Sequence, residues 1–157
     1  MSDTNKLYEA LASAIYMSRL VARGEGVDSD DKRLRASGLY EDWTPGNHKT
    51  AEVYNTHTGG DLGKEWEQTW ECTQDYDSGV YPDIRPGSSA WHTFHRPLHG
   101  TSPETARPFV KPSHGTVDIY KVGEYMIWTD GTVKRCLRDT NFSPEEYAAD
   151  WEDVEKA

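Results

Sequence analysis

Three histidines and four aspartates are the first side chains to weigh for chemistry. His92-x2-His95-x3-His99 follows directly on Trp91, and so dense a run of imidazoles raises the question of a metal site. The chain lacks the paired cysteines or the His-Glu-x-x-His arrangement of common zinc sites, and the run lies in a proline-broken stretch. We therefore expect no metal and no other cofactor, and a solvated or interface role for these rings. A glycosidase would need two carboxylates ~5 to 9 Å apart across a cleft, for which Asp61, Asp75, Asp77 and Asp83 are the candidates. Loop acids on an acidic chain usually serve solvation. With no Gly-x-Ser-x-Gly elbow and no phosphate-cradling loop either, the expectation is a protein without catalytic residues.

The elements that must position any site fall into two kinds. In residues 4 to 23, Leu7, Leu11 and Ile15 with Ala10 and Ala14 make one apolar stripe at helical spacing, extended by Ser18 and Val21. Asp3 or Thr4 can cap this helix, and Gly24-Glu25-Gly26 ends it. A second, shorter helix is expected from Ser29-Asp30-Asp31 through Ala36, closed by Gly38. Two helices with one stripe each cannot form a core alone, so the segment 1–39 must self-associate, dock on a partner or pack on the first of the β-rich modules. From Leu39 the chain changes to short strand-like runs. Tyr125-Met126-Ile127-Trp128, Thr129-Asp130-Gly131 and Thr132-Val133-Lys134-Arg135-Cys136 read as a hairpin around an Asp-Gly turn. Residues 95–108, from His95-Arg96-Pro97 to Ala106-Arg107-Pro108, read as a stiff proline-rich linker.

Composition narrows the function classes. The net charge is -10, from 17 basic and 27 acidic residues, so the chain has no basic face for nucleic acid or for anionic membrane. Its N-terminus is polar, and no apolar run approaches the ~18 residues of a spanning helix. We expect no nucleic-acid partner, no membrane insertion and no export signal. Only 35% of residues are hydrophobic and mean hydropathy is -0.86, which makes one large core hard to build. Six Trp, nine Tyr and three Phe suit small modules stabilised by a few large rings.

Such modules are visible as a pattern written twice. Trp43…Tyr54…Gly60-Asp61…Trp70-Glu71-Cys72…Pro82…Trp91 is followed by Phe109…Tyr120…Gly123-Glu124…Lys134-Arg135-Cys136…Pro144…Trp151. Cys72 and Cys136 occupy matching places, which suggests buried free thiols, with a single disulfide between the copies as the alternative. The order aromatic, Tyr, Gly-Asp/Glu, hairpin, x-Cys, Asp, Ser-Pro, Trp in residues 109 to 154 resembles the small chitin-binding type 3 carbohydrate-binding modules of families 5 and 12. The stretch from Gly100-Thr101-Ser102-Pro103 to Trp151 is similar to tandem modules in bacteriophage structural and prophage accessory proteins, where a short helical segment precedes them.

The resemblance implies a mainly β fold: two small twisted antiparallel β-sheet modules in tandem, 40–94 and 109–154, joined by the linker and preceded by the helical segment. It makes Trp43, Tyr54, Trp91, Phe109, Tyr120 and Trp151 structural core residues. It also implies sugar binding by exposed rings, because the C–H-rich face of a pyranose matches the negative face of an aromatic ring. The candidates are Tyr76, Trp66 and Tyr81 in the first copy and Trp128, Phe142 and Tyr147 in the second, each with packing as its alternative role. No Trp-Trp pair of the chitin-binding kind exists in the chain, which points to another glycan. The function expected is a non-catalytic virion accessory protein, made in the host cytoplasm, that attaches to surface polysaccharide. Other virion structural proteins and a second copy, met through the N-terminal helices, are the further partners expected. The alternatives are a structural capsid-decoration or tail adaptor protein and a detached binding subunit of a wall-degrading system.

Overall fold

The computed structural model describes residues 3–56, 68–113 and 115–154. It is mostly β, with three small sheets preceded by a helical N-terminal segment. Helix α1 spans Asp3–Ala22. Its end is a Schellman arrangement, in which Glu25 N–H donates to Leu20 O at 2.9 Å and Gly24 N–H to Val21 O at 3.0 Å. Helix α2, Asp30–Arg35, starts at Ser29, whose hydroxyl accepts from Lys32 N–H at 3.2 Å. No helix among the described residues is long and apolar enough to cross a membrane.

Very little of α1 is buried. Ser13 and Leu20 face the protein, while Leu7, Leu11 and Ile15, the stripe that its period singles out, lie in solvent. The reason is the small size of the surface it meets. Gly38 comes so close that a Cβ there would sit 2.4 Å from Glu9 O, and Ser13 Oγ accepts from Gly38 N–H at 3.0 Å and donates to Arg35 O at 3.3 Å. Where Gly38 approaches, only a small side chain such as Ser13 fits, and Leu20, farther along the helix, is the bulky residue that is buried.

Strands β1 (Asn47–His48) and β4 (Tyr76–Asp77) pair antiparallel. Strands β2 (Val53–Thr56), β3 (Gln68–Cys72) and β5 (His95–Pro97) form an antiparallel sheet in the order β2-β3-β5. The third sheet has the order β6-β7-β8-β9, made of Arg107–Pro108, Tyr125–Ile127, Val133–Cys136 and Trp151–Val154; its β6-β7 pair is parallel and the others antiparallel. The segment 95–108 therefore does more than link, since it gives an edge strand to two sheets. Proline is tolerated there because an edge strand leaves one side of its backbone unpaired. The hairpin at Asp130-Gly131 forms as its sequence predicts, closed by Trp128 N–H on Thr132 O at 2.8 Å and by Thr132 N–H on Asp130 Oδ1 at 2.9 Å. The weaker counterpart turn that the sequence offers in the first copy, at Lys64 to Gln68, lies outside the described residues except for Gln68, which opens β3.

Hydrogen bonds around Cys72 recur around Cys136. Cys72 N–H donates to Glu52 O and Cys136 N–H to Glu124 O, both at 2.8 Å. Ala51 N–H donates to Cys72 O, and Gly123 N–H to Cys136 O. Each thiol donates to the carbonyl two residues on, Gln74 O and Arg138 O. Ala51 and Gly123 share a left-handed backbone, with φ 73 and 87°, which costs the alanine about 1 kcal/mol that the glycine avoids. Trp43 N–H on Asn55 O is matched by Phe109 N–H on Ile127 O. The tyrosines, in contrast, do not match. Tyr120 bridges Thr140 as His48 pairs with Tyr76, whereas Tyr54 lies opposite Trp70 as Met126 lies opposite Lys134. Equal spacing from the leading aromatic pairs the wrong residues, because the two connecting loops differ in length.

The buried rings gather in two clusters. Tyr54, Trp70, Cys72, Tyr76, Trp91, Phe94 and Val110 make one, with Trp43 and Ile84 against it. Tyr120, Met126, Cys136 and Trp151 make the other, flanked by Phe109 and Trp128. Both cysteines are free. Burial pushes the Cys136 thiol up to about 11, so it stays protonated at neutral pH.

Candidate functional site

The rings read as sugar platforms separate by exposure. Tyr76 is only 7% exposed: Phe94 stacks on it at 4.3 Å and 6°, and His48 at 5.3 Å and 22°. It is a core residue, with no free face for a ligand. Trp128 is partly buried with its ring edge-to-face against Phe109 at 5.3 Å. Trp66 lies outside the described residues. Tyr81, Phe142 and Tyr147 are exposed.

Phe142 and Tyr147 come together, with ring centroids 6.2 Å apart and planes inclined at 42°. Below Phe142 opens a cleft of about 560 Å³, lined by Gly115, Thr116, Ile119, Arg138, Asp139, Thr140, Asn141 and Asp150 as well as the ring itself. A cleft of this size with one aromatic wall and several converging polar groups suits a small polar ligand held by stacking and hydrogen bonds.

The loop carrying the two rings is fastened at many points. Asp150, only 1% exposed, accepts from Arg138 Nε on one carboxylate oxygen and from Thr140 Oγ1 at 2.6 Å on the other. The Asp150 carboxylate holds the Arg138 guanidinium above its usual pKa. Arg138 then lies over Tyr147, its Cζ 4.6 Å from the ring centroid. Phe142 N–H donates to Thr140 Oγ1 at 3.0 Å, and Trp151 Nε1 donates to Phe142 O at 3.1 Å. Across the loop, Lys111 Nζ donates to Asn141 O and to Glu146 Oε1, both at 2.6 Å, and sits 5.6 Å from the Phe142 centroid. The Lys111 ammonium holds the Glu146 carboxyl below its usual range. Held in this way, the rings need little ordering when a ligand arrives, which lowers the entropy cost of binding.

Arg138, Lys111 and Asp150 carry this geometry, and sequence reasoning missed them. Their separation in the chain hides the cluster. Asp150 is further held by Leu137 N–H on its carbonyl at 2.7 Å, a contact made only in the folded chain.

The residues weighed for other chemistry are dispersed. His95 is fully buried between Tyr54 Oη and Tyr76 Oη, 2.5 and 3.4 Å from its two ring nitrogens, and burial lowers its pKa to about 3. His99 stacks on Tyr120 at 3.8 Å and contacts Glu124 at 3.0 Å, while His92 packs edge-on against Trp91. Asp75 accepts from Thr50 N–H at 2.7 Å and Asp77 from Gly79 N–H at 2.8 Å. These two acids fix loops. Asp61 lies outside the described residues, and among those described no group of three or more His, Cys, Asp or Glu is placed to hold a metal. No family model, curated protein or solved structure matches the chain.

Proposed function

We propose that the protein is a non-catalytic carbohydrate-binding protein that uses the Phe142 and Tyr147 face to hold a surface glycan. The observation that carries this reading is the exposed ring pair beside a polar cleft, on a loop already fastened by Asp150, Lys111 and Thr140. A pyranose stacked on Phe142 would put its hydroxyls against Asp139, Asn141 and Arg138. The recurring hydrogen bonds around Cys72 and Cys136 support two twisted modules in tandem, of the kind that the resemblance to chitin-binding type 3 modules implies. The same resemblance, to tandem modules behind a helical segment in phage proteins, supports a virion or prophage accessory protein that attaches to its host.

A second reading is favoured by Val80 and Tyr81, which are 66% and 47% exposed in the segment 40–94. An apolar pair of this kind suits a protein neighbour, as in a capsid-decoration or tail adaptor protein.

Glycan-array binding followed by titration of the best oligosaccharide separates the two. For the first reading, Phe142→Ala and Tyr147→Ala each weaken binding about fivefold, the worth of one stacked ring at about 1 kcal/mol. Both rings are exposed, so folding is retained. Binding to no bacterial surface glycan, or binding that survives both changes, overturns the reading in favour of an adaptor.

A further inference from the structure

The outward face of α1 has no cover. Leu7, Tyr8, Leu11, Ile15 and Val21 are 60, 67, 51, 53 and 71% exposed, and Ala14 and Ser18 lie in solvent among them. At 100° per residue these seven positions span about 140° of the helix surface. Between Leu7 and Val21 no acidic residue falls within that arc, although the chain carries a net charge of -10. An apolar patch on the order of 500 Å² is at the upper limit of what a monomer usually leaves exposed.

We infer that α1 is a dimerisation element, through which two copies of the chain pair antiparallel about a two-fold axis at Leu11. In that register Leu11 meets Leu11 and Leu7 meets Ile15. Tyr8 lies over Ala14, a large ring against a small residue. A parallel pair would align the two helix dipoles, which opposes it. Two such patches bury about 1,000 Å² in total, the lower limit for a specific interface and enough for a weak to moderate dimer. Leu7 and Ile15 stand equally far from Leu11, so a second copy turned about that residue covers the centre of the stripe with apolar side chains alone. The pairing does not depend on what the Phe142 cleft binds.

Sedimentation velocity of the full chain from about 1 to 100 µM tests it. The wild-type protein is expected to pass from monomer to dimer in that range. Leu11→Glu is expected to stay monomeric with an unchanged near-ultraviolet circular dichroism spectrum, since residue 11 is exposed in the single chain. Ile15→Glu is expected to stay monomeric likewise, since residue 15 is exposed in the single chain and meets residue 7 of the second copy. A wild-type protein that stays monomeric, or a Leu11→Glu or Ile15→Glu variant that still dimerises, overturns the proposal.

Discussion

His95 illustrates how a residue that looks available for chemistry is used for packing. Its two nitrogens face Tyr54 and Tyr76, and Trp43 Nε1 donates to Tyr76 Oη at 2.9 Å, so a chain of polar contacts runs through the first aromatic cluster. Burial holds the imidazole neutral, with its pKa near 3 against 6.5 for a free ring. A depressed histidine pKa means that the unfolded chain binds the proton first. Stability is therefore full above pH 6.5 and falls as pH drops toward 3. The loss at pH 4 comes to about 3 kcal/mol. Urea unfolding at pH 7 and pH 4 measures it, and His95→Gln should remove most of the difference, because glutamine does not titrate. A wild-type protein equally stable at both pH values would show that the ring is not neutral by burial. In the sequence, His95 looks like part of a three-histidine run. Its burial comes from the register of β5, which no spacing rule reports.

At the scale of elements, the parts read correctly from sequence are those whose signal is local. The period of α1, the short helix that begins at Ser29 and the Asp130-Gly131 turn each depend on a few neighbouring residues. The parts that local signals do not report depend on distant pairing. Residues 95–97 and 107–108 become edge strands although prolines mark them as linker, and Tyr76 becomes core because Phe94 and His48 reach it from elsewhere. Phe142 and Tyr147 could be named from sequence as aromatics, but not the arginine, lysine and aspartate that fix them. Helix α2 is also placed by a distant contact. Asp30 accepts from Arg96 at 2.8 and 2.9 Å, Arg96 also donates to Glu71 at 2.9 Å, and Asp31 accepts from Thr105 at 2.6 Å and from Thr101 N–H at 3.0 Å. Burial alone would raise the Asp30 pKa, yet the Arg96 guanidinium outweighs it and holds the carboxyl below its usual range. This contribution is present above the unfolded aspartate pKa and is lost in acid. Asp30→Ala leaves Arg96 half-buried with one partner fewer, at a cost of about 2 to 3 kcal/mol. Thermal unfolding should register this as a lower Tm. Hydrogen exchange should find α2 less protected, with the hairpin at Asp130-Gly131 unchanged. Equal loss of protection everywhere would mean that α2 is not held separately.

For the whole molecule, the proposed cleft and the proposed pairing surface act together through avidity. One cleft beside Phe142 is open and shallow, and a single stacked sugar gives weak affinity. Pairing through α1 puts two clefts on one particle, and a second cleft already near the surface binds as though its ligand were at millimolar concentration. The benefit appears only where glycans are dense enough for both clefts to engage. Leu11→Glu should therefore leave the Kd for a soluble oligosaccharide unchanged while weakening retention on a densely coated surface by about 100-fold. Surface plasmon resonance on chips of high and low glycan density measures both quantities. Phe142→Ala should act in the opposite sense, weakening soluble and surface binding together. If Leu11→Glu lowered both equally, α1 would be shaping the cleft itself. If it lowered neither, pairing would contribute nothing to attachment, and the exposed stripe on α1 would have to serve assembly alone.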